Sequence, residues 1–331
     1  MRRRTALMGL ATTLAACAAQ PEWHARPKVP PPTITDGAFV MADGTSLPYR
    51  SWLPPADLPP TGVVLALHGF NDSRDAFEIP APTLAAAGLA LYAPDQRGFG
   101  ATAGRGLWPG SKALVRDAAT MARLLRTKYP GTPLYLMGES MGGAVLLSLA
   151  ASADAPPASG YILVAPAVWG WSEMNLFLRG ALWLNASAAP NWRLSGTAAH
   201  VTASDNRAAL IRLSTDPLTI HETRIGTARG LVDLMDEALA ASRHVTAPTL
   251  VLYGGHDELV PKQAMAASWR RLLVEAPPDL RLAYYPNAYH LLLRDHGHGV
   301  AIGDILHWLR APAAPLPSGA DRAAQDWLAR V

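Results

Sequence analysis

The chain alternates short, almost wholly apolar runs with longer segments whose apolar residues recur at helical spacing. The runs TGVVLALHG, TPLYLMG and APTLVLYGG are apolar at nearly every position, so no polar face alternates with an apolar one. Such runs are typical of strands that are buried on both faces of a parallel sheet. The intervening segment 111–131 has helical spacing and stops at a Pro-Gly pair. This alternation predicts an α/β fold, with a mostly parallel sheet flanked by helices on both faces.

The regular pattern runs from about residue 36 to residue 310 and is interrupted once. The stretch from about 166 to 240 is mostly helical in pattern, and we interpret it as a helical cap inserted over the sheet edge. Its tryptophans either bind an apolar part of a ligand or pack the core of the cap, and both readings stay open. These tryptophans are Trp169, Trp171, Trp183 and Trp192. Residues 311–331 comprise a proline-rich link and a short amphipathic helix, which is expected to pack back on the domain or to fray.

The N-terminal residues have the pattern of an export signal followed by a tether. A positive start, MRRR, precedes a short apolar stretch, and this stretch is too short to span a bilayer, which takes about 20 residues. Residues 14–17, LAAC, resemble the lipobox of bacterial lipoproteins, in which the cysteine is lipidated. We therefore expect residues 1–16 to be a signal peptide, Cys17 to be lipidated, and the proline-rich residues 17–35 to be a tether.

The same pattern predicts a location. The protein is expected to be exported and lipid-anchored to the bacterial cell envelope, at the outer membrane or the periplasmic face. An ordinary cleaved signal or an uncleaved tail is the alternative reading. Cys17 is the chain's single cysteine, which excludes an internal disulfide.

Composition adds two limits on function. Half of the residues are apolar and 17% are charged, which is ordinary for a globular protein with a sizeable core. The formal net charge is +3, and Arg2, Arg3 and Arg4 account for all of it, so the body of the chain is close to neutral. Because no basic stripe occurs, nucleic acid is not an expected partner.

A polar pair interrupts the apolar stretch YLMGESMGGAVLLSLA at residues 135–150. A strand, a tight turn with GESMG and a helix together match the G-x-S-x-G nucleophile elbow. Ser140 would adopt a strained backbone conformation there, so that its hydroxyl projects from the sheet edge. Gly138 and Gly142 would lie where neighbouring chain segments approach too closely for a side chain. A glycine-rich turn with an incidental serine is the alternative that this strand–helix context disfavours.

A nucleophilic serine needs a base and a group that orients the base. At such elbows the order along the chain is Ser, then Asp or Glu, then His. Asp257 lies just past the apolar run TLVLYGG, with only His256 between them, and His290 follows the last strand, LRLAYYP. Both would therefore lie at the sheet edge that carries Ser140. The less favoured candidates are His256, Glu258, Asp233 and Asp236 for the acid, and His296, His298 and His307 for the base.

Acyl transfer also requires donors for the oxyanion. The N–H of Met141, the residue after the nucleophile, is one expected donor. The N–H of Phe70, in the loop HGFND after the third strand, is the other. His68 and Gly69 are expected to shape this loop rather than to react.

Together these motifs resemble the α/β-hydrolase superfamily, and more narrowly its monoacylglycerol lipase and lysophospholipase branch, which is also grouped with serine aminopeptidase-type hydrolases. The resemblance covers about residues 36–310. It is carried by LHGF at 67–70, PDQRGFG at 94–100, GESMGG at 138–143, GGHDELVP at 254–261 and NAYHLLL at 287–293. It implies a Ser140–Asp257–His290 triad, oxyanion donors at Phe70 and Met141, and a lid of variable sequence. STDPLT, at 214–219, is similar to the end of such lids.

The resemblance implies a serine hydrolase that cleaves carboxylic esters through an acyl-enzyme on Ser140. The expected substrate is a small lipid-like ester of monoacylglycerol or lysophospholipid type, whose apolar acyl chain the cap tryptophans would bind. No metal or cofactor is expected. An aminopeptidase, peroxidase or acyltransferase on the same triad is an alternative, as is a non-catalytic binding lipoprotein. The sequence does not indicate an oligomeric state.

Overall fold

The computed structural model describes residues 30–55, 58–195 and 201–331. Its strands are β1 (Thr33–Thr35), β2 (Ala38–Val40), β3 (Ser46–Trp52), β4 (Gly62–Leu67), β5 (Leu89–Pro94), β6 (Leu134–Glu139), β7 (Gly160–Val164), β8 (Arg193–Ser195), β9 (Glu222–Arg224), β10 (Thr249–Gly254) and β11 (Arg281–Tyr285). Nine of them form one sheet, in the order β1-β2-β3-β5-β4-β6-β7-β10-β11. From β5 to β11 every neighbouring pair in this sheet is parallel, whereas β1, β2 and β3 pair antiparallel at one edge.

Helices cover both faces of this sheet. They are α1 (Pro80–Ala86), α2 (Ser111–Lys128), α3 (Met141–Ala150), α4 (Leu176–Ala188), α5 (Arg207–Thr215), α6 (Ile225–Ala241), α7 (Lys262–Leu272), α8 (His298–Arg310) and α9 (Ala320–Leu328). Residues of α2, α3, α6, α7 and α9 pack in the core on one face, and residues of α1 and α8 pack in the core on the other. The predicted α/β architecture is confirmed.

The apolar runs form the central strands. Every residue of β4, β5 and β10 is buried, because helices lie above and below these strands. The register places Leu67 beside Gly138 at the carboxyl ends of β4 and β6. The loops that follow these strands therefore meet at one edge of the sheet, where ligands bind in open α/β folds.

The first strand of the sheet begins earlier in the chain than the sequence pattern predicted. Residues 30–35 were predicted to belong to the tether, but Thr33–Thr35 pair with Ala38–Val40. The β-branched residues of the TIT run favour an extended edge strand. The predicted signal peptide, Cys17 and tether residues 17–29 lie outside the described residues. Across the described ranges, no helix is long and apolar enough to cross a membrane.

The stretch between β7 and β10 is only partly helical. It contains α4, α5 and α6, but also the antiparallel pair β8–β9, which the sequence pattern did not predict. Helix α6 packs against α3 and buries Leu234 and Leu239 in the main core. The bounds 166–240 of the inserted cap stay a prediction.

The four tryptophans of this stretch have different environments. Trp169 lines a cavity beside Ser140. Trp171 is half-buried, and its indole N–H donates to Asp233 over 2.6 Å. Trp183 and Trp192 are exposed on the outer surface. Neither predicted role, acyl-chain binding or core packing, therefore describes all four rings.

The C-terminal helix packs back on the domain. Helix α9 lies against β11, and Trp327 is buried. Its ring is stacked on Tyr284 with the ring centres 5.1 Å apart, and it meets Trp269 edge to face at 4.9 Å. This aromatic cluster explains why the short amphipathic segment is ordered, since each large ring removes much apolar surface from water.

Candidate active site

Ser140 is the single residue between β6 and α3. Its φ is 52° and its ψ is −113°, a region that residues with a side chain rarely adopt. Backbone hydrogen bonds stabilise this conformation, because its N–H donates to Val164 over 2.9 Å and its carbonyl accepts from Ala167 over 2.9 Å. The strained conformation predicted for a nucleophile elbow is present at this residue.

Close backbone contacts explain the glycines on either side. A Cβ on Gly138 would lie 2.5 Å from the carbonyl carbon of Gly142. A Cβ on Gly142 would lie 2.1 Å from the carbonyl oxygen of Leu67. Side chains fit at neither position, so the turn depends on both glycines.

Asp257 and His290 form a buried hydrogen-bonded pair. Nδ1 of His290 lies 2.8 Å from Oδ2 of Asp257. The other oxygen of Asp257 accepts the backbone N–H groups of Leu259 and Val260, at 2.8 and 2.9 Å. The turn after β10 therefore orients the carboxylate toward the imidazole. With Nδ1 donating to Asp257, Nε2 is the ring nitrogen that is able to accept a proton.

The charge of His290 responds to opposing effects. Burial of the ring is the largest single effect and disfavours its protonated form, but the charge and hydrogen bond of Asp257, together with the charge of Glu139, raise the pKa of His290 above its usual 6.5. Arg294 acts in the same direction as burial and lowers this pKa.

Ser140 and His290 line one cavity of about 460 Å³. Among the described residues, the Ser140 hydroxyl makes no hydrogen bond with His290. Catalytic hydrogen bonds of this kind often form only when substrate is bound. The cavity therefore contains the Ser140 hydroxyl, which is not bound to His290, together with the imidazole of His290, which Asp257 orients.

The two predicted oxyanion donors lie on either side of the nucleophile. Met141 is the first residue of α3, and Phe70 follows Gly69 in the loop after β4. A Cβ on Gly69 would be 3.4 Å from that of Ser140, so this loop lies directly beside the nucleophile. Within the described ranges, the N–H groups of Phe70 and Met141 donate to no protein acceptor.

His68 shapes the loop that carries Phe70. Its Nδ1 lies 2.7 Å from the carbonyl oxygen of Gly69, and its Nε2 accepts the N–H of Gln96 over 3.0 Å. Burial lowers the pKa of His68, which favours the neutral ring in this arrangement. Both ring nitrogens are engaged, so this histidine is not available as a base.

The less favoured acids lie away from the Ser140 hydroxyl. His256 is exposed and packs against Tyr289. Glu258 accepts the N–H of Thr202 over 2.7 Å and does not cap α7. Asp233 and Asp236 accept hydrogen bonds from Trp171 and Ser172.

The less favoured bases belong to a different segment. His296 is exposed, while His298 and His307 lie at the first turn and the last turn of α8. None of these three histidines lines the cavity that contains Ser140.

A buried ionic cluster that was not predicted from the sequence lies beside Ser140. Nη2 of Arg294 lies 2.5 Å from Asp72 Oδ2 and 2.6 Å from Glu139 Oε1. In the sequence motif G-x-S-x-G, Glu139 is only the variable residue before the serine. An acidic residue in a buried turn was a visible signal of a buried cation, but its partner lies 155 positions away.

The cavity is largely apolar. Its apolar side chains come from the loop after β4, the stretch between β7 and β10, and the segments around Asp257 and His290. They are Phe70, Trp169, Met174, Leu182, Leu213, Leu231, Val232, Met235, Leu259, Val260 and Leu291. Three polar lining residues have buried atoms without a hydrogen-bond partner in the described structure, namely Asn71 Oδ1, Glu139 Oε2 and Thr219 Oγ1.

Comparison with known proteins shows that the chain is similar to several lipases. It is 28% identical over 281 residues to a monoacylglycerol lipase of Mycolicibacterium smegmatis, covering 84% of this chain and 97% of that protein. It is 29% identical over 264 residues to the monoglyceride lipase of Rattus norvegicus, covering 78% of this chain and 84% of the relative.

Solved structures share the fold. The monoacylglycerol lipase of Paleococcus ferrophilus superimposes with a TM-score of 0.67 at 21% identity, covering 81% of this chain and 99% of that one. A soluble variant of the Saccharomyces cerevisiae monoglyceride lipase, in complex with a substrate analog, superimposes with a TM-score of 0.68 at 20% identity, covering 88% and 97%.

The family model described as serine aminopeptidase, S33, matches residues 58–297, which is more than two thirds of the chain. This range includes the elbow, the loop after β4 and the Asp257–His290 pair. The resemblance to α/β-hydrolases is thereby confirmed, and the chain belongs to the serine aminopeptidase S33 family of hydrolases.

Proposed function

We propose that this serine carboxylester hydrolase cleaves monoacylglycerols through an acyl-enzyme on Ser140. One observation carries the proposal: a strained serine and a buried Asp–His pair line the same apolar cavity. The names of the relatives, which are monoacylglycerol and monoglyceride lipases, support the same substrate class.

In the first half of the reaction, Nε2 of His290 takes the proton of Ser140 while Oγ attacks the ester carbonyl carbon. Asp257 stabilises the imidazolium that forms. The N–H groups of Phe70 and Met141 bind the oxyanion, and one such donor contributes about 10²–10³ in rate.

In the second half, the tetrahedral intermediate collapses and the alcohol leaves with the proton from His290. The acyl group stays on Ser140. Water then attacks this ester as His290 takes its proton, and the fatty acid is released with Ser140 restored.

The cavity supports an apolar acyl group. Trp169, Met174 and Leu182 line it from the segment between β7 and the end of α4, and Leu231 and Met235 line it from α6. Burying each methylene of an acyl chain against such walls contributes about 0.8 kcal/mol. Long-chain esters are therefore expected to react better than acetyl esters.

The polar groups support an alcohol that carries hydroxyls. The amide nitrogen of Asn71 already donates to Thr223 Oγ1, which leaves Asn71 Oδ1 as a buried acceptor without a donor. The Thr219 hydroxyl is likewise without a partner in the described part of the chain. The free hydroxyls of glycerol supply such donors. A lysophospholipid phosphate is disfavoured because the nearby Arg294 is already paired with two carboxylates.

Covalent labelling separates an enzyme from a binding protein. We expect a fluorophosphonate to label the wild type, and we expect Ser140→Ala to abolish labelling. Ser148→Ala, which removes a hydroxyl from the helix α3 that follows Ser140, is the matched control and should label normally. Labelling that survives in Ser140→Ala would contradict the proposal, as would an unlabelled folded wild type.

A substrate panel separates the activities that this triad is able to perform. The panel contains a monoacylglycerol, the lysophosphatidylcholine and the ethyl ester of the same fatty acid, and an amino-acid arylamide. We expect the monoacylglycerol to have the highest kcat/KM. Thr219→Val should reduce this preference over the ethyl ester, whereas Thr219→Ser should preserve it. Faster cleavage of the arylamide would favour an aminopeptidase instead.

We also propose that the protein is exported and held at the cell envelope by a lipid on Cys17. The lipobox-like LAAC supports this, and so does an exposed apolar surface on the outer side of α4. Leu176 and Phe177 are 82% and 81% exposed there, and such apolar side chains favour contact with a lipid surface. Cys17→Ser is expected to release the protein from membranes, and unchanged membrane association would contradict the lipid anchor.

A further inference from the structure

Three separate segments at the sheet edge carry Phe70, Ser140 and His290, and each segment contributes one charged side chain to a single cluster. Asp72 lies two residues after Phe70, Glu139 immediately precedes Ser140, and Arg294 lies four residues after His290. We call Asp72, Glu139 and Arg294 the Arg294 cluster.

The cluster is buried and tightly connected. Nη2 of Arg294 lies 2.5 Å from Asp72 and 2.6 Å from Glu139, and the three side chains are each less than a tenth exposed. Asp72 Oδ1 also accepts the N–H of Ser73 over 2.8 Å, which orients this carboxylate within its own loop. A single nitrogen of the Arg294 guanidinium thus connects the three segments that carry Phe70, Ser140 and His290.

Stability alone does not explain this arrangement. Charged groups lose their hydration when they are buried, and well-packed apolar residues are often equally stable or more stable. Two atoms of the cluster, Glu139 Oε2 and Arg294 Nε, have no hydrogen-bond partner in the described structure, which adds to the desolvation penalty. Burial also raises the pKa of Glu139. A charge cluster that is costly to bury, next to Ser140 and His290, points to a functional role.

We propose that Arg294 is a positioning residue for the ester hydrolysis described above. By binding Asp72 and Glu139 together, it sets the distances between the loop of Phe70, the elbow of Ser140 and the loop of His290. This inference rests on the proposed function, because it assigns Arg294 a role in that reaction.

The cluster also sets the charge around the base. Asp257 faces His290 from the loop after β10, Glu139 from the end of β6, and Arg294 from the same loop as His290 itself. Asp72 lies beyond Arg294 and binds it from the loop after β4. Glu139 and Arg294 shift the pKa of His290 in opposite directions, so replacing each should have the opposite effect.

The conservative variant tests positioning. Arg294→Lys keeps the positive charge but loses the planar fork that bridges two carboxylates. We expect kcat/KM to fall by about 10²-fold, mainly through kcat, because small misplacements of reacting groups have effects of this size. The matched control is Arg97→Lys. Arg97 also bridges two carboxylates, Asp43 and Asp117, but it does not line the cavity. This control should lower Tm and leave kcat/KM near the wild-type value.

The pH profile provides a second readout that a purely structural role would not move. Arg294→Gln should shift the acid limb of kcat/KM to higher pH, because a positive charge near His290 is removed. Glu139→Gln should shift it to lower pH, because a negative charge is removed. If Arg294→Gln does not fold, Arg294→Lys and Glu139→Gln decide the question, since both retain a partner for Asp72. A wild-type rate in Arg294→Lys together with an unshifted limb in Glu139→Gln would overturn the proposal.

Failure of the proposed function is distinguishable from failure of this inference. If the wild type hydrolyses no ester and takes no fluorophosphonate, the function is wrong. The imidazole pKa of His290, followed by NMR, then tests the Arg294 cluster without any turnover. A lower pKa in Glu139→Gln than in the wild type supports the cluster, and an unchanged pKa overturns it.

Discussion

Nδ1 of His290 lies 2.8 Å from Oδ2 of Asp257, although 33 positions separate the two residues. Both follow neighbouring parallel strands, β10 and β11, whose carboxyl ends meet at one edge of the sheet. Two backbone N–H groups bind the other oxygen of Asp257 and so orient the carboxylate toward the imidazole. The pair is therefore oriented by the protein itself, as a preorganised proton acceptor requires.

Asp257→Asn is expected to lower kcat by about 10⁴-fold, because the amide favours the wrong tautomer of His290 and does not stabilise the imidazolium. Steady-state kinetics on a p-nitrophenyl ester measure this loss. Glu258→Gln, which changes the exposed neighbouring carboxylate, is the control and should retain activity. A loss smaller than tenfold in Asp257→Asn would show that another group orients the histidine.

The pH dependence follows from the raised pKa of His290. The base acts only when it is neutral, so kcat/KM should rise with pH through a midpoint above 6.5. The stability that protonated His290 gains from Asp257 has the opposite dependence. It is fully present below pH 6.5 and is lost as the pH rises through the raised pKa. A rate profile with its midpoint below 6.5 would contradict the first expectation, and thermal unfolding across the same range checks the second.

Gly142→Ala is expected to destabilise the fold by about 1–3 kcal/mol or more, because its Cβ would lie 2.1 Å from the carbonyl oxygen of Leu67. Urea unfolding measures the change. Gly180→Ala is the matched control within α4, where a Cβ would meet nothing within 4 Å. This control should stabilise the protein by roughly 0.5–1 kcal/mol. Equal effects of the two substitutions would refute the close approach at Gly142.

Trp327→Ala should destabilise the fold by about 3–5 kcal/mol, because its ring is buried between Tyr284 and Trp269. The exposed Trp183 is the control, and Trp183→Ala should change the free energy of unfolding by no more than about 0.5 kcal/mol. If Trp327→Ala left the unfolding midpoint unchanged, α9 would not contribute to the core.

Local sequence patterns predicted the central strands and the turn at Ser140, because these patterns depend on which residues are buried. The uniformly apolar run of β4 predicted a strand that is covered on both faces, and the Gly138–Gly142 spacing predicted a turn without room for side chains. Asp257 and His290 were predicted from the strands that they follow, because parallel strands bring their carboxyl ends to one edge of the sheet.

Pairings between distant segments were decided only by the tertiary structure. Arg294 meets Asp72 across 222 positions, and no local pattern distinguishes this arginine from one on the surface. The β8–β9 pair and the separate environments of Trp169 and Trp183 likewise depend on how the segment between β7 and β10 lies over the sheet. Sequence periodicity shows that a residue is buried or exposed, but its partner follows from the topology that brings distant loops together.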